Sequence, residues 1–228
     1  MKHLIPFVLL SLLLSIGHLQ AQVRYGLKVG AGLSGASADF EGGAFQDYVF
    51  LNNLIIGDRS ELRLAFHLLG FAELDLHKHF GAGLGIKLAS RGYRLVPEEG
   101  QQDFEDYALR LSYLQLPAYG QFRAGGFYLN LGVYAGMGLT GSTAVTFANE
   151  EETNRLQWGN TFDEDLRRFD FGALIEAGAS YRNIRLSIGY QHGLVNLIPS
   201  DWQEELPGTS LQNRAYYLSV GYIFSARR

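Results

Sequence analysis

The stretch "FDFGALIEAGASYR", residues 169–182, has a period of two. Phe169, Phe171, Ala173, Ile175, Ala177, Ala179 and Tyr181 alternate with Asp170, Gly172, Leu174, Glu176, Gly178, Ser180 and Arg182. Such alternation describes an extended strand with one apolar and one polar face. "YGLKVGAGLS", residues 25–34, repeats it: Tyr25, Leu27, Val29, Ala31 and Leu33 stand against Gly26, Lys28, Gly30, Gly32 and Ser34.

Working outward, residues 127–142 and 185–191 carry the same pattern, and a last segment ends in Tyr216, Leu218, Val220, Tyr222 and Phe224. Three segments are less regular, at residues 66–76, 81–94 and 107–123. They still set Leu68, Ala72, Leu74, Leu84, Ile86, Leu88, Leu114, Leu116 and Phe122 against Glu73, Asp75, Lys87, Arg91, Gln115 and Gln121. Eight strands result.

The connections alternate in length. They run long (35–65), short (77–80), long (95–106), short (124–126), long (143–168), short (near Asn183) and long (198–213). Long outer loops, tight inner turns and an even strand number are the pattern of an up-and-down antiparallel transmembrane β-barrel. Both termini are then expected in the periplasm. A soluble barrel would turn its apolar face inward, and two features favour the reverse. Glycines crowd the polar face, leaving room in a narrow lumen for long charged side chains. The apolar face also ends in aromatics at one level, Tyr25, Phe122, Phe127, Tyr181 and Phe224, as expected of a girdle at the lipid–water boundary.

The N-terminus fits export. Lys2 precedes an apolar run at residues 5–16, and Leu19-Gln20-Ala21 ends in a small residue, so residues 1–21 read as a cleaved signal peptide. Residues 22–228 form one barrel domain. There is no cysteine, so no disulfide framework or lipid-attachment thiol is present. A net charge of −4 without a basic patch argues against nucleic acid.

Of the 23 acidic residues, 19 fall in the four long loops, which carry net charges of −3, −5, −3 and −3. The other four, Glu73, Asp75, Asp170 and Glu176, share the lumen face with Lys28, Lys87, Arg91, Arg123, Arg182 and Arg185. Charges inside a narrow barrel must pair or cost several kcal/mol each. A mixed-sign lumen therefore reads as plugged and salt-bridged, whereas a selectivity filter would favour one sign. Acidic loops beside anionic lipopolysaccharide suggest bridging by divalent cations. Pro117 lies inside a strand and predicts a bulge near residues 115–118.

No catalytic set emerges. Ser187 and His192 lie about 17 Å apart on one strand with opposite parity. "HKH" at 77–79 supplies too few ligands for a structural metal, and the carboxylates of "EEGQQDFED" (98–106) and "NEEE" (149–152) lack the spacing of a calcium loop. No cofactor is expected.

Five segments in order, "YGLKVGAGLSG", "GAGLGIKLASRGYRL", "YLQLPAYGQFR", "FYLNLGVYAGMGLTG" and "RFDFGALIEAGASYRNIRLSIGYQHGLVNL", with the closing "YYLSVGYIF", resemble the outer-membrane β-barrel family of Bacteroidota, the PorT-like "porin family" proteins. The resemblance spans the whole exported chain. It implies an eight-stranded barrel in the outer membrane and brings no catalytic residues; the barrel is expected to be a monomer. Three roles stay open: a structural or surface-interaction barrel, a secretion-machinery component with envelope partners, or a narrow diffusion channel.

Overall fold

A computed structural model describes residues 23–39, 48–51, 54–57, 61–95, 106–147, 150–205 and 207–224. The expected signal peptide, residues 1–21, lies outside them, as does most of the "EEGQQDFED" loop. In chain order the elements begin with β1 (Val23–Asp39), β2 (Tyr48–Leu51), β3 (Leu54–Gly57), β4 (Glu61–Asp75), β5 (Phe80–Arg91) and β6 (Tyr93–Leu95). They continue with β7 (Asp106–Ala124), β8 (Phe127–Phe147), β9 (Glu150–Arg155), β10 (Phe169–Tyr181) and β11 (Ile184–Gly193), then α1 (Ser200–Glu205) and β12 (Ser210–Phe224).

Eight staves close a ring. β1 pairs with β4, β4 with β5, β5 with β7, β7 with β8, β8 with β10, β10 with β11 and β11 with β12, every pair antiparallel. β12 returns to β1 over fifteen paired positions, from Tyr25↔Phe224 to Asp39↔Ser210. The barrel thereby leaves no edge in its wall, as a strand-built membrane span requires.

β6 and β9 extend the staves at the long-loop end. β6 continues β5 beyond Gly92, whose φ of 137° lies outside the range that a side chain tolerates. Ser34 Oγ donates to the Gly92 carbonyl at 2.9 Å, and the register against β4 shifts by one residue there. β9 pairs with the outer part of β8, and β2 pairs with β3 as a separate hairpin. At the other end three short turns connect the staves at residues 76–79, 125–126 and 182–183.

Pro117 needs no bulge. β5 and β7 keep one register from Leu84↔Ala118 to Lys87↔Gln115, and only the two intervening positions lose their pairing. The proline's missing donor thus falls on the β5 side. Opposite it sits Gly85, where a Cβ would come 3.4 Å from the proline ring. The register shift within β7–β8 lies instead between Ser112 and Tyr113, where β8 contributes one extra residue, Leu139.

The wall divides by parity. Outward side chains include Leu84, Ile86, Ile188 and Leu218, each more than 60% exposed. Inward ones include Lys28, Glu73, Lys87, Arg91, Asp170, Glu176 and Arg185, all buried. A continuous apolar belt of this kind is far larger than water tolerates on a soluble monomer, so the solvent that fits it is lipid.

Aromatic side chains bound the belt on both sides. Tyr25, Phe122, Phe127, Tyr181 and Phe224 are exposed at the short-turn level, joined by Phe80, whose ring lies 5.4 Å from that of Phe122. Phe66, Phe169, Phe171 and Tyr216 form a second level, with the Tyr190 ring 4.7 Å from that of Tyr216. Eight residues of β12 separate Phe224 from Tyr216, about 27 Å along the strand or roughly 20 Å of membrane normal at a ~40° tilt. That approaches the roughly 25 Å band of such barrels.

Candidate functional site

Inside the belt, polar side chains interlock across the lumen. Glu73 on β4 receives Arg185 of β11 in a two-pronged contact of 2.6 and 2.8 Å. It also accepts from Tyr119 Oη at 3.1 Å and from Gln121 Nε2 at 2.9 Å, and Arg24 lies 3.3 Å away. Gln121 donates as well to Asn130 Oδ1 at 2.9 Å. Asn130 in turn donates to Glu176 Oε1 at 3.1 Å, which Lys28 Nζ approaches to 2.5 Å. Six strands are tied together by this chain of contacts. Such pairing is what lets charges reside in a region that water cannot freely hydrate.

Nearer the long-loop end the compensation changes. Lys87 donates to Gln191 Oε1 at 2.8 Å and lies 4.4 Å over the Tyr217 ring. Arg91 donates to the same Gln191 oxygen and to Gln115 at 3.4 Å. Asp170 accepts from Tyr134 Oη at 3.1 Å and from Asn213 Nδ2 at 3.0 Å. Here amides, phenols and an aromatic face satisfy the charges in place of direct ion pairs.

The inward glycines make room for charged side chains as expected at Gly81, where a Cβ would come 3.0 Å from the Arg123 guanidinium, and for rings at six other positions. A Cβ on Gly26 would meet the ring of Phe71, on Gly30 that of His67, and on Gly83 that of Tyr119. Gly172, Gly178 and Gly189 stand in the same relation to Tyr134, Tyr128 and Tyr217. Each of these six makes room for a ring on the neighbouring strand, so aromatics fill the lumen beside the charges. Between them, a cavity lined by Lys28, Lys87, Tyr119, Asn130, Glu176 and Gln191 holds about 20 Å³, enough for one water.

Above the charged tier the pattern inverts. On β7, Tyr107, Leu109, Leu111 and Tyr113 point inward and are buried, whereas Arg110 and Ser112 face out. These residues join Ala36, Tyr93, Leu95, Leu156, Leu166, Leu197, Ile198 and Leu211 in one apolar cluster, with Trp158 and Trp202 packed against it. The staves therefore leave the belt as a barrel of the water-soluble kind, apolar inside and polar outside.

Loop segments close it. Arg167 N donates to Leu197 O at 2.8 Å and Leu197 N to Leu211 O at 2.9 Å. Asn196 Oδ1 accepts from both Ile198 N and Leu211 N, at 3.1 and 3.0 Å. Asp165 is buried here and accepts from Gln157 N at 2.7 Å. The loops are thus not wholly solvated acidic ribbons. Glu150, Glu151 and Glu152 are exposed, while the apolar residues of the same loops form a lid.

The short-turn mouth is wetter and more basic. Asp75 bridges Arg24 at 2.9 Å and Arg123 at 2.8 Å, and all three side chains are only partly buried. Asp75 and Arg123 are therefore rim residues, while Lys28, Glu73, Lys87, Arg91, Asp170, Glu176 and Arg185 lie deep. Arg182 departs from the expected lumen set. It is exposed in the β10–β11 turn with a φ of 53°, its guanidinium 5.5 Å from the Tyr181 ring. The strand ends at Tyr181, so alternation no longer dictates a facing for the next residue. Arg24 precedes the alternating stretch that opens at Tyr25, yet β1 already includes it; it has the parity of Lys28 and belongs to the mouth.

The histidines split. His67 is buried in the lumen with Ser219 Oγ 3.2 Å from its Nε2, an enclosed contact whose residues come from non-adjacent segments. His192 pairs with the Tyr190 hydroxyl at 3.2 Å. His77 and His79 lie 5.8 Å apart in the β4–β5 turn, and His79 Nδ1 lies 3.0 Å from the Arg123 carbonyl.

Residues 20–199 match the family described as outer membrane protein beta-barrel domain. No curated protein matches the chain in sequence. Among solved structures, Neisserial surface protein A aligns with 89% of this chain and 99% of its own at 10% identity, with a TM-score of 0.48. The attachment invasion locus protein Ail of Yersinia pestis aligns over the same shares at 11% identity and a TM-score of 0.44. The translocator domain of the autotransporter NalP from Neisseria meningitidis covers 92% of both chains at 10% identity, with a TM-score of 0.37. The sequence match spans most of the chain, and the closed ring with its lipid-facing belt accords with it: the chain belongs to the outer-membrane protein β-barrel domain family.

Proposed function

We propose that this barrel is a monomeric structural or surface-interaction protein of the outer membrane, closed to diffusion, whose loops rather than whose lumen meet its partners. Residues 1–21 are removed on export, both termini face the periplasm, and the long loops lie outside the cell. The observation that carries this reading is the filled interior. An apolar lid lies over a charged tier whose cavity holds about 20 Å³. A hydrated ion needs a continuous wet path, and among the described residues the packed side chains of both tiers stand across it. No catalytic role is assigned. The exposed carboxylates of Glu150, Glu151 and Glu152 would meet anionic lipopolysaccharide through divalent cations.

Planar-bilayer recording of the purified protein tests the reading: the expected trace shows no steady steps, and large stable ones would overturn it in favour of a diffusion channel. The PorT-like, Bacteroidota-type affiliation rests on the motif resemblance. It is tested by deleting the gene and assaying secreted proteins: loss of export would favour the secretion-component role over the surface role.

A further inference from the structure

Four cations converge on the short-turn mouth, where a cavity of about 260 Å³ opens. It is lined by Arg24, Lys78, His79, Arg123, Phe127 and Arg185 among others, and no carboxylate borders it. The carboxylates behind it are two, Glu73 and Asp75, and each serves two arginines: Arg24 and Arg185 for Glu73, Arg24 and Arg123 for Asp75. Lys78 forms no ion pair with any described residue, so the described residues lining this cavity carry two positive charges more than Glu73 and Asp75 neutralise.

The arginines also have donors to spare. The Nε atoms of Arg24, Arg123 and Arg185 are buried and make no hydrogen bond among the described residues. Arg185 is the decisive one, since only 1% of its side chain is exposed and it is held in place by its two bonds to Glu73. Its guanidinium also lies 4.8 Å from the Tyr128 ring, so it is a preorganised cation beneath the cavity. The space accommodates several water-sized groups, enough for a tetrahedral oxyanion with part of its hydration.

Depth selects the ligand. Phe127 lines the cavity, is 71% exposed and belongs to the aromatic girdle, so the cavity opens at the level of lipid headgroups. Guanidinium forks and an ammonium at that depth suit phosphate, which accepts several charge-assisted bonds at once. We propose that the short-turn mouth is a binding site for a phosphate group, presented either by a membrane lipid headgroup or as the free anion. Lys78 and Arg123 form its accessible wall and Arg185 its floor. The site is independent of the closed-lumen reading and stands or falls separately from it.

The test uses the full exported chain, refolded in maltoside micelles that contain no phosphate. One arm titrates inorganic phosphate and follows its ³¹P line; the other adds phosphatidylglycerol or a phosphate-free glycolipid of the same chains and counts retained lipid by native mass spectrometry. Specific broadening of the inorganic line assigns the free anion, and retention of phosphatidylglycerol over the glycolipid assigns the headgroup. In either case Lys78→Gln with Arg123→Gln weakens binding at least about tenfold. Lys78→Gln alone, in an exposed turn where folding is not at risk, weakens it about threefold. No broadening of the inorganic line together with equal retention of both lipids, or unchanged binding by the variants, overturns the site.

Discussion

Removing Glu73 should unfold the barrel far more readily than its single carboxylate suggests. In Glu73→Ala, Arg185 keeps its place with 1% of its side chain exposed and loses both of its charge-assisted bonds. Tyr119 and Gln121 lose an acceptor as well, and Arg24, Arg123 and Arg185 are left around Asp75 alone. Breaking one partner of a buried pair costs about 3–5 kcal/mol, chiefly because the survivor is left charged and dry. The stranded neutral donors contribute in the same direction. The companion change Arg185→Met removes the stranded charge and fills its space, so the double variant should recover at least about 2 kcal/mol relative to Glu73→Ala. Equilibrium unfolding in detergent, followed by tryptophan fluorescence and by the mobility of unboiled samples, measures both. A single variant within about 1 kcal/mol of the parent, or a double variant no better than Glu73→Ala, would refute the paired-lumen reasoning.

The lid and the glycine–ring contacts give independent checks. Leu166, with no exposed surface, anchors the lid, so Leu166→Ala should cost about 2–4 kcal/mol and weaken the near-UV signal of Trp158 and Trp202 while the barrel keeps its heat-modifiable mobility. Gly189→Leu drives a side chain into the Tyr217 ring and should destabilise by about 1–3 kcal/mol, with Tyr217→Ala in the same chain restoring part of it; an additive pair would contradict the contact. At the loop surface, Glu164 accepts from Thr161 N at 2.7 Å and Thr161 Oγ1 at 2.9 Å, which hold its carboxyl below the usual 4.5. A depressed folded-state value means that the turn is favoured above 4.5 and loosens as pH falls through the lower value, so the Thr161 amide shift should titrate below 4.5; a midpoint at or above it would contradict the bond.

Much of this architecture is legible in the alternation alone, because a membrane barrel has only two environments and parity assigns each residue to one. Residues 169–181 and 216–224 face as their pattern requires, and the short connections fall where the turns are. The pattern is least regular on β4, β5 and β7, and for β4 and β7 the structure shows why. Leu69 and Phe71 are apolar yet face inward, filling the lumen opposite Ile223. β7 runs past the belt, so its amphipathic sense reverses near Tyr113, and a single rule applied along its length sees irregularity. A reversal of apolar parity within one unbroken strand is the signal that would have revealed the lid. The lumen partners that carry no charge, Gln115, Asn130, Gln191 and the tyrosines, were visible by parity, but their contacts depend on ring closure and stagger. Arg182 departs from the pattern for the opposite reason: it lies one residue past the strand, in a turn where alternation sets no facing.

The central claim is that this stretch of wall meets lipid on one side and a filled interior on the other. The chain contains no cysteine, so single cysteines placed at each position from 215 to 222 of β12 report without background. Reconstituted in vesicles and exposed to a water-soluble thiol reagent, outward Leu218→Cys and Val220→Cys should be shielded by lipid, and inward Ser219→Cys by packing, while Glu204→Cys in the exposed end of α1 reacts freely. Protection along the entire stretch is the predicted result. Reactivity at Ser219→Cys and its inward neighbours would reveal an open, wet lumen, and reactivity at Leu218→Cys and Val220→Cys would mean that the belt does not lie in a membrane.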